Sequence, residues 1–284
     1  MSTILTALAV LAAATPGLLV SPAELAAALK DPATVVIAVG NSDDDFIAGH
    51  IPGARFVRYS DIAIDADGLS SELPPVDQIK KVLGAAGIGD KSKVVIYGAA
   101  IPAARLFFTL DYIGHPNVKL LNGGLNAWKA NGGRIDIGPA PKVAVAALTP
   151  KPQPDRVVSA DWIRERLSSP RVTLLDARPD NEFTGADGGM GGAHVKGHLP
   201  DAHQLVWNTL LDSTGTYLPD AELRKKFEAI GANKTTPLVS YCMVGMRASV
   251  TYFVARHLGY DARLYDGSIV DWTRRKLPAV TGPK

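Results

Sequence analysis

The chain repeats itself, and that repeat restricts the possible folds more than any other feature. Val94-Val95-Ile96-Tyr97 returns as Leu238-Val239-Ser240-Tyr241, Leu121-Asn122-Gly123-Gly124 as Tyr265-Asp266-Gly267-Ser268, and Trp128 as Trp272, all at one offset of 144 residues. Upstream, Gly49-His50-Ile51-Pro52-Gly53-Ala54 returns as Gly197-His198-Leu199-Pro200-Asp201-Ala202, each preceded by an apolar run, Thr34 to Val39 and Val172 to Ala177. So long a period exceeds any solenoid unit; it marks a duplicated domain. The 284 residues suffice for two domains, and 46% hydrophobic against 20% charged residues lets each bury a core.

Within each half, short apolar runs alternate with helix-like patterns, and Ser21 and Ser159 are placed to N-cap helices. This alternation predicts an α/β fold, two tandem domains each with a mainly parallel sheet and helices on both faces. Gly138-Pro139-Ala140-Pro141 and Pro150-Lys151-Pro152-Gln153-Pro154 extend the chain and block helix. The predicted organisation is an N-terminal domain over 15–139, a proline-rich linker over 140–154 and a C-terminal domain over 155–284. Met1 to Ala14 carries no charge and ends in Ala12-Ala13-Ala14, which suits a signal segment with Thr15 starting the mature chain; the lack of basic residues at its start argues against one. Removal of the segment implies a periplasmic or secreted protein, retention a cytoplasmic one. A net charge of +2 without a Lys/Arg run excludes general attraction to nucleic acid, and the apolar run Ile4 to Ala14 is too short to span a bilayer. Stable membrane association is not expected, and the oligomeric state is left open.

The sequence holds one cysteine, Cys242, in Ser240-Tyr241-Cys242-Met243-Val244-Gly245-Met246-Arg247-Ala248-Ser249. A lone thiol makes no internal disulfide and no Cys-x-x-Cys pair. It is either a small buried hydrophobe or a nucleophile. A strand-like run, Pro237 to Tyr241, ends at it, and Arg247 to Gly259 has helical periodicity with an apolar face at Val250, Phe253, Val254 and Leu258. In parallel α/β sheets ligands gather at such strand-to-helix junctions. The helix start and Arg247 both favour thiolate over thiol, and the loop amides from Met243 through Val244, Gly245 and Met246 to Arg247 suit an anionic ligand.

These residues resemble the rhodanese-type sulfurtransferases in their tandem two-domain form. The resemblance rests on the loop Cys242 to Arg247, the repeated Gly-His-Ile/Leu-Pro motif, Asp266-Gly267 with Trp272, and Leu175-Asp176-Ala177-Arg178. It implies a catalytic C-terminal domain and an inactive N-terminal one. The first half accordingly has Tyr97-Gly98-Ala99 in place of Tyr241-Cys242 and Val39-Gly40-Asn41 in place of Asp176-Ala177-Arg178. The implied reaction moves the sulfane sulfur of thiosulfate through a Cys242 persulfide to cyanide or a thiol, with no cofactor. The same resemblance implies that Arg178 pairs with the donor's anionic end; its alternative is a salt bridge at a strand end.

Four rival readings exist. A cysteine phosphatase of this architecture resembles His-Cys-x5-Arg, whereas Tyr241 precedes Cys242 and four residues separate it from Arg247. A 3-mercaptopyruvate sulfurtransferase resembles Cys-Gly-Ser-Gly-Val-Thr, whereas this loop reads Cys-Met-Val-Gly-Met-Arg and Thr184 stands where a second arginine is expected. A persulfide carrier keeps the same loop and turns over slowly. A metal site at His194, His198 and His203 lacks helical ligand spacing, and His198 already belongs to the repeated motif; no metal is expected. The glycine-rich insertion Gly185 to Gly197 reads as a mobile lip over the site.

Overall fold

The computed structural model describes residues 17–169, 171–187 and 196–283. The expected signal segment and most of the expected lip lie outside them. In the first half, strands β1 (Leu19–Val20), β2 (Thr34–Gly40), β3 (Arg55–Arg58), β4 (Ile64–Ala66), β5 (Leu69–Glu72), β6 (Lys93–Gly98) and β7 (Val118–Leu121) alternate with helices α1 (Pro22–Ala28), α2 (Asp44–Ala48), α3 (Val76–Ala85), α4 (Ala100–Tyr112) and α5 (Gly124–Ala130). The second half has β8 (Thr173–Asp176), β9 (His203–Gln204), β10 (Leu238–Tyr241) and β11 (Ala262–Leu264), with α6 (Ala160–Arg164), α7 (Asp180–Thr184), α8 (Asp220–Ala229), α9 (Ala248–His257) and α10 (Ser268–Arg274). The first sheet is parallel in the order β1-β7-β6-β2-β3, the second parallel in the order β11-β10-β8-β9, while β4 and β5 form a separate antiparallel pair. Val157 bridges Leu264 in parallel, in the place that β1 takes beside β7.

The strands are apolar on both faces because helices cover both. On β2, Val35, Ile37 and Val39 face the core under α3 and α4, while Val36 and Ala38 face the layer of Leu25, Phe46 and Trp128 from α1, α2 and α5. Ser21 forms a full capping box with Glu24, and the Ser159 hydroxyl accepts from the Trp162 amide at 3.1 Å, so both serines start their helices.

The repeated motifs have repeated structural roles. His50 stacks on Phe46 with centroids 3.9 Å apart, and His198 stacks on Phe183 at 3.8 Å; each Nδ1 lies 2.9 Å from the carbonyl of the same phenylalanine. The next amide in each copy, Ile51 or Leu199, donates to the hydroxyl of the strand-end tyrosine, Tyr97 or Tyr241. Trp128 and Trp272 each donate Nε1 at 2.8 Å to a carbonyl six residues on, that of Arg134 or Pro278.

The two halves share one core. α4 packs on α9, with Phe107 edge-on to Phe253 at 4.9 Å and Phe108 edge-on to Tyr252 at 5.1 Å. Phe108 and Tyr252 are themselves separated by 144 residues, so the repeat pairs with its own copy on a pseudo-twofold axis. At the rim, Asp111 accepts from Tyr252 Oη at 2.5 Å and Arg256 Nε at 2.9 Å, and the Leu18 amide donates to His257 Nδ1 at 3.0 Å. The proline-rich passage does not hang free. The Ala146, Lys151 and Gln153 amides donate to the Gly84, Ile113 and Tyr112 carbonyls, and Leu148 is buried in the shared core.

Phe253 is fully buried between Phe107 and Tyr217. Phe253→Ala should lower stability by about 3–5 kcal/mol, and both halves should still melt in a single urea transition because one core serves both. Two transitions, with only one displaced, would contradict a shared core.

Candidate functional site

Cys242 follows β10 directly and is fully buried, among α9, β10 and the turn after β11. That turn holds the loop. Ser268 Oγ accepts from the Cys242 amide at 3.1 Å and the Gly245 amide at 3.0 Å, and donates to the Tyr265 carbonyl at 2.9 Å, which saturates the hydroxyl. The Cys242 and Met243 carbonyls accept from the Ile269 and Val270 amides, at 3.2 and 3.3 Å. Ser268 adopts φ 52°, where its repeat Gly124 adopts φ 56°. Serine holds a backbone conformation suited to glycine, a strain of about 1–2 kcal/mol, and only the half with the thiol carries the hydroxyl.

The loop amides were expected to face an anion together. Gly245 is the exception, since its amide is bound to Ser268. The amides of Met243, Val244, Met246 and Arg247 have no acceptor among the described residues. Arg247 is the N-cap of α9, whose ten residues begin at Ala248. Four free N–H groups at a helix start make a positive concavity. Cys242 and Met243 are buried; Val244, Met246 and Arg247 are half-buried and form the part of the loop that reaches solvent.

Arg247 is not a free charge. Its Nη1 and Nη2 donate to the two oxygens of buried Glu182 at 2.8 and 2.7 Å. Burial pulls the Arg247 pKa down, but Glu182 and the Cys242 charge outweigh it, so the guanidinium stays ionised. Arg178, expected at the donor's anionic end, is fully buried. Its Nε donates to Asp176 at 2.9 and 3.1 Å, and Nη2 donates to Asp176 at 2.6 Å and to the Gly197 carbonyl at 2.8 Å. Only buried Nη1 lacks an acceptor among the described residues, so Nη1 alone could meet a ligand. Here too Asp176 overcomes the desolvation and the arginine remains charged.

The first half reaches the same loop. Arg105 of α4, fully buried, donates Nη1 and Nη2 to Asp266 at 2.5 and 3.0 Å, and Nη2 also to the Ser71 carbonyl at 2.6 Å. The Leu73 amide completes the Asp266 carboxylate at 2.7 Å. Burial pushes the Tyr59 phenol up, against the opposing pull of Arg105. At the position of Cys242 the first half has Gly98, and a Cβ there would collide with the Val39 carbonyl. That half lacks both the thiol and the room for one.

His198 is committed to Phe183, which explains its place in the motif without a ligand; His194 lies outside the described residues. Among the described residues no group of three His, Cys, Asp or Glu side chains is placed to hold a metal, and no helix is long and apolar enough to cross a membrane.

Fold and site together define a duplicated parallel α/β protein with a single strand-end thiol under a loop of backbone amides. The rhodanese-like domain family matches residues 21–131 and 159–275, and the chain belongs to that family. It is 29% identical over 259 residues to a thiosulfate sulfurtransferase of Azotobacter vinelandii, spanning 90% of this chain and 93% of that one. It is 30% identical over 281 residues to the sulfur carrier protein TtuD of Thermus thermophilus, spanning 90% and 94%. The thiosulfate/3-mercaptopyruvate sulfurtransferase 1 of Arabidopsis thaliana is 28% identical over 84% of this chain and 69% of its own. Among solved structures, that of YnjE superposes with a TM-score of 0.86 at 24% identity, over 94% of this chain and 69% of that one. The protein is thus a rhodanese-family sulfurtransferase, acting between a sulfur donor and a sulfur acceptor.

Glu72 borders the Asp266 cluster and, with Asp266, Tyr265 and Arg274, lines a cleft of about 880 Å³ between the halves that Cys242 does not line. Burial, then the Asp266 charge, pushes its carboxyl up to about 7, against the opposing pull of Arg105. Asp271 and Asp67 add to the rise. The raised value favours folding fully below the ordinary value of 4.5, and that stability is lost as pH rises through about 7. Relative to Glu72→Gln, the wild-type urea midpoint should therefore fall between pH 5 and pH 8; parallel pH profiles would refute the assignment.

Proposed function

We propose that the protein is a thiosulfate sulfurtransferase in which Cys242 carries the transferred sulfur. The observation behind this reading is that the chain's one thiol stands at the end of β10 and opens a loop in which four amides have no acceptor among the described residues. In the first step the Cys242 thiolate attacks the outer sulfur of thiosulfate. A Cys242 Sγ–S bond forms, the S–S bond of thiosulfate breaks, and sulfite departs with its electron pair. In the second, cyanide or a thiolate attacks the outer persulfide sulfur, leaves as thiocyanate or a new persulfide, and restores the Cys242 thiolate. The amides of Met243, Val244, Met246 and Arg247 hold the negative charge that the sulfur carries in between. Gly245 supports the loop by its turn and its bond to Ser268. Arg247, being half-exposed, meets the donor, while Arg178 backs the site and offers only Nη1.

The resemblance to thiosulfate enzymes supports this donor, and the loop's departures from the mercaptopyruvate pattern point the same way. A persulfide carrier is the second reading, favoured by the complete burial of Cys242, which shelters a labile persulfide between partners. A donor panel with steady-state turnover separates the two. A kcat/KM for thiosulfate above that for 3-mercaptopyruvate supports the enzyme; slow turnover with every small donor supports the carrier.

Thiosulfate should add one sulfur, about 32 Da, to the Cys242 peptide, the mass of a persulfide. Cys242→Ser should abolish both this gain and turnover, and retained turnover would end the reading. The two members of the Arg247–Glu182 pair should act in opposite directions on an anionic donor. Arg247→Ala removes the charge and should lower kcat/KM by about 10- to 150-fold, as loss of a charge-assisted hydrogen bond does. Glu182→Gln frees the arginine and should lower KM for thiosulfate; a raised KM would place the donor elsewhere.

A further inference from the structure

Arg105 lies on the half that has no thiol, yet its guanidinium closes on the loop of the half that does. Nη1 and Nη2 hold both oxygens of Asp266, and Nη2 also holds the Ser71 carbonyl. Asp266 in turn packs directly against Gly245. A Cβ at Gly245, where φ is 80°, would lie 2.5 Å from Asp266 Oδ1, 2.8 Å from the Asp266 carbonyl oxygen and 3.5 Å from Arg105 Nη1. Two residues beyond Asp266, the hydroxyl of Ser268 takes the Cys242 and Gly245 amides. A continuous path of contacts therefore runs from α4 through Asp266 to both ends of the turn that begins at the thiol. The first half reinforces it, since β5 carries Ser71 in a left-handed conformation, φ 65°, with its carbonyl on Arg105.

A buried ion pair that served cohesion alone could sit anywhere along the α4–α9 seam. This one stands against the single turn whose shape sets the free amides around Cys242. We propose that Arg105 is a positioning residue for sulfur transfer: by fixing Asp266 against Gly245 and Ser268, the first half sets the geometry of the Cys242 loop. The first half then lacks chemistry of its own but completes the site of the other. The inference rests on Cys242 being the sulfur-carrying group.

Arg105→Met alone leaves Asp266 buried and unpaired, so the informative variant is Arg105→Met with Asp266→Asn, which removes both charges at nearly constant shape. Neither residue is among those assigned above to hold the donor. The variant, shown folded by circular dichroism well below its melting temperature, should lose at least about tenfold in kcat, the scale expected of a misplaced reacting group, with KM for thiosulfate nearly unchanged. Arg105→Lys, which keeps the charge but cannot hold Asp266 and Ser71 together, should recover part of that kcat. Wild-type kcat in the double variant would overturn the proposal. Should the double variant not fold, wild-type kcat in Arg105→Lys overturns it equally. Alkylation of Cys242 by uncharged iodoacetamide needs no donor and separates the two layers of inference. If the wild-type chain forms no persulfide from thiosulfate, the proposed reaction fails. The alkylation rate still reports the loop: a change of at least about threefold between wild type and variant upholds the positioning role, and equal rates dismiss it.

Discussion

The packing of α4 on α9 is the constraint from which the rest of the molecule follows. Each is the helix that leaves an inner strand of its own sheet, β6 or β10, so pairing them joins the two halves through largely buried helices. The aromatic contacts at 4.9 and 5.1 Å leave little latitude in the crossing of the two helices. That crossing carries Arg105 to Asp266 and Asp111 to Tyr252 and Arg256. The N-terminus of α9 is also where the loop of Cys242 ends. The helix that joins the halves is therefore also the helix that leaves the loop of the thiol.

Duplication accounts for how this came to be asymmetric in function while symmetric in form. Both copies keep the histidine stacked on phenylalanine, the tyrosine hydroxyl under the next amide, and the tryptophan bonded six residues on. These contacts hold the strand ends and need no chemistry. At the site the copies part: Gly98 stands against Cys242, Gly124 against Ser268, and Asn41 against Arg178. In the first copy the backbone closes over the place where a thiol would stand, since Val39 occupies it.

Much of this was legible in the sequence because it is local or repeated. Strand ends, the serine caps and the thiol at a strand-to-helix junction depend on neighbours within a few residues, and the offset of 144 residues exposes the duplicated elements. What sequence reasoning missed are the partners that only the fold brings together. Glu182 lies 65 residues from Arg247, and Asp266 lies 161 residues from Arg105. No periodicity records such pairings. Ser268 left a fainter signal: a serine stood where the repeat has glycine, beside the one thiol, and a hydroxyl kept at a glycine position invites a hydrogen-bonding role. Arg178 was the reverse case. Its burial comes from the shape of the chain around β8, and nothing in Asp176-Ala177-Arg178 distinguishes a guanidinium turned onto its own aspartate from one turned to a ligand.

Three arginine–carboxylate pairs converge on this region: Arg105 with Asp266, Arg178 with Asp176, and Arg247 with Glu182. Buried ion pairs are a poor source of stability, because desolvation offsets most of their attraction. Their value here lies in what they do to the field. Each arginine is matched by one carboxylate, so the three pairs together carry no net charge. The remaining positive potential comes from the four free amides and the start of α9, concentrated within the turn rather than spread across a cationic surface. Such a field is short in range and small in extent. It favours a compact anion at the loop over large polyanions, which agrees with a chain whose overall charge is only +2.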